Sequence, residues 1–388
     1  MNSQNLWLLP AGINEVLPEE ATYIETLRRR LINLYQSWGY ELVIPPMLEY
    51  LDAMLMGAGQ VLELQTFKLT DQLTGRLMGI RADMTPQVAR IDAHHLKRNH
   101  PTRLCYLGTV LHTRPNKFAG SRTPEQVGAE LYGYAGIAAD AEILSLMLHT
   151  LRAVGITDFL IDVGHVQIYR TLLKETTLNP TQLEALSAAM KHKSTADLDA
   201  LLLELPISQT LKQLFRALIE LNGDGSILKE ARRTLATAPT AVHKALDDLE
   251  KLHAQFKGEN LYFDLAESRG YSYHEGVVFA AYIDKHGQAI AKGGRYDLGK
   301  IFGQARPATG FSANLRTLVS LTDIPAKPKG IFTPPLYTDR KLIDIVSQLR
   351  QQGEIVICSL PDQREDAQTM GCDRELRLRQ GEWQVIDL

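Results

Sequence analysis

In residues 125–134, EQVGAELYGY, a carboxamide and a carboxylate sit four apart, Gln126 and Glu130, with Gly128 between them. As a strand, the segment turns Val127, Ala129 and Leu131 to one side and Gln126, Gly128, Glu130 and Tyr132 to the other. A carboxylate on such a face suits an ammonium or an imidazole N–H through charge-assisted hydrogen bonds. The intervening glycine is expected to let a ligand lie against the backbone. The same alternation also describes a polar edge facing solvent. Other groups could join this face. Asp83 and Thr85 stand at the start of a helix. Arg269, in SRGYSYHEG, carries a guanidinium that can grip a carboxylate bidentately, and Tyr273 and His274 follow it. Tyr296 follows two glycines in KGGRYD, which would bring the chain close to whatever is bound.

These residues need elements to hold them. Pro18–Ser37 reads as an amphipathic helix, with Ile24, Leu27, Leu31 and Leu34 on one face and Glu19 and Glu20 in the first turn. YELVIPPMLEY then reads as an extended segment broken by Pro45 and Pro46. A hairpin is expected over residues 64–79, turning at 71–75. Thr85 is the expected N-cap of the next helix, with Pro86 at its first position. A strand, RLCYLG, runs into GTVLHTRP at residues 108–115 and so delivers His112, Thr113 and Arg114 to polar surroundings. A helix over 138–154 and a strand-to-helix unit at DFLIDVGHVQIYR follow. GVVFAAYIDKHGQAIAKGG is a hairpin around residues 284–287, and GFSANLRTLVSLTD is a strand passing into a helix.

A chain of 388 residues exceeds what one core usually supports. The expected division is a core of residues 1–170 and 258–324, a separate all-helical insertion at 171–257, and a short C-terminal αβ domain at 325–388. The insertion is Leu-, Ala- and Lys-rich, broken at Pro206, at the NGDG of residues 222–225 and at Pro239. With 42 Lys and Arg against 45 Asp and Glu, the net charge is −3, so no bulk cationic field recruits nucleic acid. Cys105, Cys358 and Cys372 have no metal-like pairing, and their odd number argues against a disulfide framework; a reducing cytoplasm is expected. The first residues show no basic stretch followed by an apolar one, and no run of about 20 uncharged apolar residues occurs, so neither a signal peptide nor a membrane span is expected.

LPAGINEVLPEEA, LYQSWGYELVIPPMLEY, QVGAELYG, SRGYSY, GGRYD and GFSANLRTL occur in an order and spacing that resemble the catalytic core of histidyl-tRNA synthetase, a class II aminoacyl-tRNA synthetase. The resemblance runs from about residue 10 to 323. It implies an α+β fold, an antiparallel sheet flanked by helices, dimerising through the first helix and strand. It also implies that Asp83, Thr85, Gln126, Glu130, Arg269, Tyr273, His274 and Tyr296 surround histidine. Asp83 replaces that family's glutamate, and His274 its tyrosine.

Elsewhere the resemblance fails in a consistent way. The synthetase's Phe-Arg-x-Glu reads Leu111, His112, Thr113, Arg114 here, and its Gly-Leu-Glu-Arg reads Asn314, Leu315, Arg316, Thr317. Both arginines that grip ATP phosphate are thus replaced, by His112 and Thr317, and the accompanying glutamates by Arg114 and Arg316. Each lost cation removes roughly a hundredfold in rate, or about 10⁴-fold for both. RADMTPQVAR, in place of the synthetase's Arg-Pro-Glu-x-Thr, is similar to the regulatory subunits of short-form ATP phosphoribosyltransferase. That family implies no catalytic residues of its own, no cofactor, no metal and no tRNA. It implies histidine as allosteric ligand, a catalytic-subunit partner, and regulatory dimers within a hetero-octamer. The alternatives are an active histidyl-tRNA synthetase or another histidine-dependent ligase.

Overall fold

The computed structural model describes residues 7–56, 59–115, 121–267, 274–297, 306–336 and 339–388. Arg269 and Tyr273 lie outside the described residues. The chain divides into two units, Met1–Asp323 and Ile324–Leu388.

In the first unit the strands are β1 (Glu41–Leu42), β2 (Leu48–Tyr50), β3 (Phe67–Thr70), β4 (Leu77–Ile80), β5 (Thr102–Thr109), β6 (Glu125–Tyr132), β7 (Leu160–His165), β8 (Asn222–Gly223), β9 (Leu261–Asp264), β10 (His274–Ile283), β11 (His286–Tyr296) and β12 (Ala308–Asn314). Nine of them form one sheet in the order β1-β5-β6-β12-β11-β10-β7-β9-β8, and β2-β4-β3 form a small second sheet. The large sheet is antiparallel from β5 through β7. Its flanks are mixed, because β1 runs parallel to β5 and β9 parallel to β7.

Side-chain parity sorts the sheet into two faces. Cys105, Val127, Ala129 and Leu131 join one large core with the helices Pro18–Ser37 and Ile137–Ala153. Leu104, Tyr106, Tyr132 and Tyr296 point the other way, onto Met84, Val88 and Ala89. All eight residues of β6 are therefore buried, and the solvent-facing alternative for this strand is excluded. In the first helix Tyr35, rather than Leu34, completes the buried stripe.

The segment 171–257 is neither wholly helical nor separate. Five of its helices, Pro180–His192, Thr195–Glu204, Gln209–Glu220, Ile227–Thr234 and Thr240–Gln255, break where proline and NGDG demand it. Yet Asn222–Gly223 adds an edge strand to β9, and Leu186, Leu198, Phe215 and Leu246 belong to the same core as the sheet.

The second unit has β13 (Gly330–Thr333), a helix Arg340–Gln351, β14 (Val356–Cys358), β15 (Cys372–Arg379) and β16 (Glu382–Asp387), in the sheet order β14-β13-β15-β16. Its core is Ile331, Leu342, Val346, Val356 and Leu376. Asp339 caps the helix and accepts a 2.8 Å hydrogen bond from Trp383 Nε1.

Candidate functional site

Glu130 is the centre of the polar cluster on the inner face, 1% exposed. Tyr296 donates to Oε2 at 2.7 Å, Tyr106 to Oε1 at 3.0 Å, and Thr85 to Oε1 at 3.3 Å. The Tyr132 hydroxyl lies 3.2 Å from that of Tyr296. Burial pushes the Glu130 carboxyl up to about 8, against the hydroxyl donors, which favour its charge; the nearby Asp83 adds to the rise. Burial likewise holds Tyr106, Tyr132 and Tyr296 well above the usual phenol range. Such a group is a proton reservoir that a cationic ligand can discharge.

One strand turn away, Gln126 fixes the helix that covers the cluster. Its Oε1 accepts from the Met84 N–H at 2.9 Å, and its Nε2 donates to Asp83 Oδ1 at 2.7 Å. Asp83 Oδ1 also accepts from the Thr85 N–H at 3.0 Å. Here the sequence expectation is corrected: Thr85 is the first residue of the helix, and its cap is Met84, which makes no side-chain capping bond. Asp83, whose carboxylate bonds the N–H two residues on, takes that task. This releases the Thr85 hydroxyl to reach Glu130 and, at 3.1 Å, Tyr106.

Two further expectations change. Gly128 does not make room for a ligand. Tyr106 pairs with it across the strands, and a Cβ there would lie 2.5 Å from the Tyr106 hydroxyl. The glycines of KGGRYD serve the sheet: a Cβ on Gly293 would overlap the Gly310 carbonyl, and one on Gly294 would come within 2.6 Å of the Val277 carbonyl. The glycine that matters to the carboxylate is Gly310, opposite Glu130, where a Cβ would overlap Oε2.

His274 is buried and pairs across the strands with Tyr296, which puts the two side chains on one face of the sheet. The structure thus brings Asp83, Thr85, Gln126, Glu130 and Tyr296 into one bonded network, with His274 beside it. Tyr106 and Gly310 belong to it and escaped the sequence reading, and Tyr132, placed on this face by strand alternation, joins it through the Tyr296 hydroxyl. The tyrosines sit on the face opposite the Cys105 and Ala129 side chains, and only strand register reveals their convergence.

The positions matched to the synthetase's phosphate grip are occupied otherwise. His112 Nε2 lies 2.9 Å from the Ala82 carbonyl, and Arg114 is exposed. Arg316 Nη1 donates to Thr123 Oγ1 at 3.0 Å, and the Thr317 hydroxyl accepts from Asn314 Nδ2 at 2.8 Å.

This fold and site define a histidyl-tRNA synthetase-like chain: residues 12–318 match the sequence model of the family described as Histidyl-tRNA synthetase. The solved histidyl-tRNA synthetase of Nostoc sp. PCC 7120 superposes with a TM-score of 0.79 over 98% of this chain and 97% of that one, at 19% identity, which speaks for the fold alone. Residues 328–386 match a different description, ATP phosphoribosyltransferase subunit HisZ C-terminal domain. The ATP phosphoribosyltransferase regulatory subunit of Thioalkalivibrio sulfidiphilus is 52% identical over all of both chains, and that of Azotobacter vinelandii 50% identical over the same coverage. A structure described as an ATP phosphoribosyltransferase regulatory subunit/histidyl-tRNA synthetase from Bacillus halodurans C superposes with a TM-score of 0.82 at 28% identity, covering 95% of this chain and 97% of that one. The chain belongs to the ATP phosphoribosyltransferase regulatory subunit family.

Proposed function

We propose that this chain is a non-catalytic subunit that senses histidine, activates a short-form ATP phosphoribosyltransferase catalytic subunit and conveys feedback inhibition to it. The observation that carries this is a contrast between two sets of positions. Glu130 keeps three hydroxyl partners, Tyr296, Tyr106 and Thr85, whereas His112, Arg114, Arg316 and Thr317 stand where the synthetase holds its phosphate-binding arginines and their glutamates.

Glu130 would accept from the imidazole or ammonium of histidine. Gln126 and Asp83 would hold the adjacent helix in register, and Arg269, Tyr273 and His274 would complete the enclosure. Histidine then favours one arrangement of the assembly, and a coupling of about 1–3 kcal/mol, necessarily reciprocal, is enough for feedback. The assembly is a hetero-octamer built on dimers of this chain, located in the cytoplasm. Among the described residues, no helix is long and apolar enough to cross a membrane.

The test is reconstitution. Purified chain mixed with a short-form catalytic subunit raises turnover, histidine suppresses the mixture, and the chain alone shows no histidine-dependent ATP–pyrophosphate exchange. Unchanged turnover would discard the reading, and robust exchange would replace it with a histidine-dependent ligase.

A further inference from the structure

We propose that Tyr106 is a positioning residue of the ligand site, holding the Glu130 carboxylate toward the ligand through its own hydroxyl and Thr85. The inference rests on the histidine reading and adds to it a residue that sits on a different strand from Glu130.

Tyr106 is fully buried on β5, yet its hydroxyl is shared by two site residues, Glu130 Oε1 at 3.0 Å and Thr85 Oγ1 at 3.1 Å. Strand register explains how it gets there. Tyr106 stands opposite Gly128, one same-face step from Glu130, and the missing Cβ of Gly128 is filled by the phenol end. A larger residue at 128 would force the ring away from the carboxylate. The hydroxyl therefore ties three elements together: β5, β6 and the helix that begins at Thr85. Tyr132, a second buried tyrosine of the same cluster, does something different. Its hydroxyl is 3.2 Å from that of Tyr296 and has no bond to Glu130.

Among the described residues, the groups that face the Glu130 carboxyl are Asp83 and Thr85 at the start of the covering helix, Tyr106 from β5, Tyr132 on its own strand, and Tyr296 from β11, with His274 across from Tyr296. Tyr106 favours the charged form of the carboxyl, whereas Asp83 opposes it. Removing the Tyr106 hydroxyl therefore moves the titration of Glu130 to higher pH. Histidine binding that draws on the carboxylate weakens at pH 7 and recovers only at a more alkaline midpoint.

The experiment titrates histidine into the chain by calorimetry from pH 6.5 to 9, for wild type, Tyr106→Phe and Tyr169→Phe, the last at a buried tyrosine outside the cluster whose hydroxyl lies 3.1 Å from Ser187 Oγ. Thermal melts of each variant confirm that it is folded. Tyr106→Phe is expected to bind about tenfold more weakly at pH 7, in line with the loss of one hydrogen bond to a charged group. Its pH midpoint moves upward, while Tyr169→Phe stays within about threefold of wild type with an unmoved midpoint. Equal losses in the two variants, or an unmoved midpoint in Tyr106→Phe, overturn the positioning role. Absence of histidine binding by the wild type overturns the histidine reading itself, so the two failures are distinct.

Discussion

Gly310 stands directly opposite Glu130 in the β6–β12 pairing, and a Cβ at position 310 would occupy the space of Glu130 Oε2. The carboxylate thus owes its position to a missing methyl on the neighbouring strand. Gly310→Ala is expected to displace the Glu130 side chain from the Tyr296 hydroxyl, to weaken histidine binding at least tenfold, and to cost about 1–3 kcal/mol of stability through overpacking. Calorimetry and urea unfolding would read both. Unaltered affinity in the folded variant would show that the carboxylate does not take part in binding.

Two buried groups set opposite limits on stability with pH. In the unfolded chain Glu130 releases its proton near its ordinary 4.5, whereas the fold retains it to about 8. The unfolded state then binds fewer protons, so stability falls as pH rises through that window, by up to about 1.4 kcal/mol per unit. His165 acts from the other side. Burial, aided by the charge of Arg295, lowers its imidazole from 6.5 to about 4, so stability falls as pH drops from 6.5 toward 4. The two slopes cancel between 4.5 and 6.5. Denaturant melts of Glu130→Gln should lack the decline between pH 6.5 and 8, and those of His165→Gln the decline below 4.5. A wild-type slope persisting in Glu130→Gln would assign the alkaline limb to another group.

Much of this site could be read before folding. Gln126, Glu130, Asp83 and Tyr296 were legible because each lies in a short segment whose parity or neighbours fix its direction. The strand faces of β6 and the hairpin of β10 and β11 follow from local alternation alone. What escaped depended on pairing between distant strands. Tyr106 looks like one more apolar residue in RLCYLG until register sets it beside Gly128, and Gly310 looks like an ordinary strand glycine until β12 is laid against β6. Thr85 was misassigned for a local reason: Asp83 accepts the Thr85 N–H, so the helix starts at Thr85 itself with Met84 before it. The insertion was read as separate because its periodicity reveals helices but not which core they share.

Arg295 and Asp140 form a buried charged junction between the sheet and the helix Ile137–Ala153. Arg295 Nε and Nη2 donate to Asp140 Oδ2 at 3.0 and 2.7 Å, and the guanidinium also bonds the carbonyls of Tyr134 and Gly136. Burial raises the Asp140 carboxyl even with this partner present. Arg295→Met would leave a buried carboxylate without its cation, at a cost of about 3–5 kcal/mol near pH 7. The loss should shrink as pH falls and Asp140 takes a proton. Urea unfolding at pH 7 and pH 5 measures this difference, and an equal loss at both would assign the effect to packing instead of charge.

Glu130→Gln tests the ligand contact itself. The amide keeps the shape of the side chain and an acceptor for Tyr296, but it cannot carry charge. Loss of a hydrogen bond to a charged group costs about 1.5–3 kcal/mol, which is roughly 10- to 150-fold in histidine affinity. The wild type has a second signature. An empty site protonated up to about pH 8 must release that proton to hold a cation. Affinity should therefore climb about fivefold between pH 7 and 8, approach about tenfold by pH 9 and level off above. Calorimetry in two buffers of different ionisation heat should show nearly one proton released per histidine at pH 7. In Glu130→Gln both the climb and the proton release should vanish. If the wild type releases no proton, histidine binds without drawing on the charge of Glu130, whatever the variant's affinity.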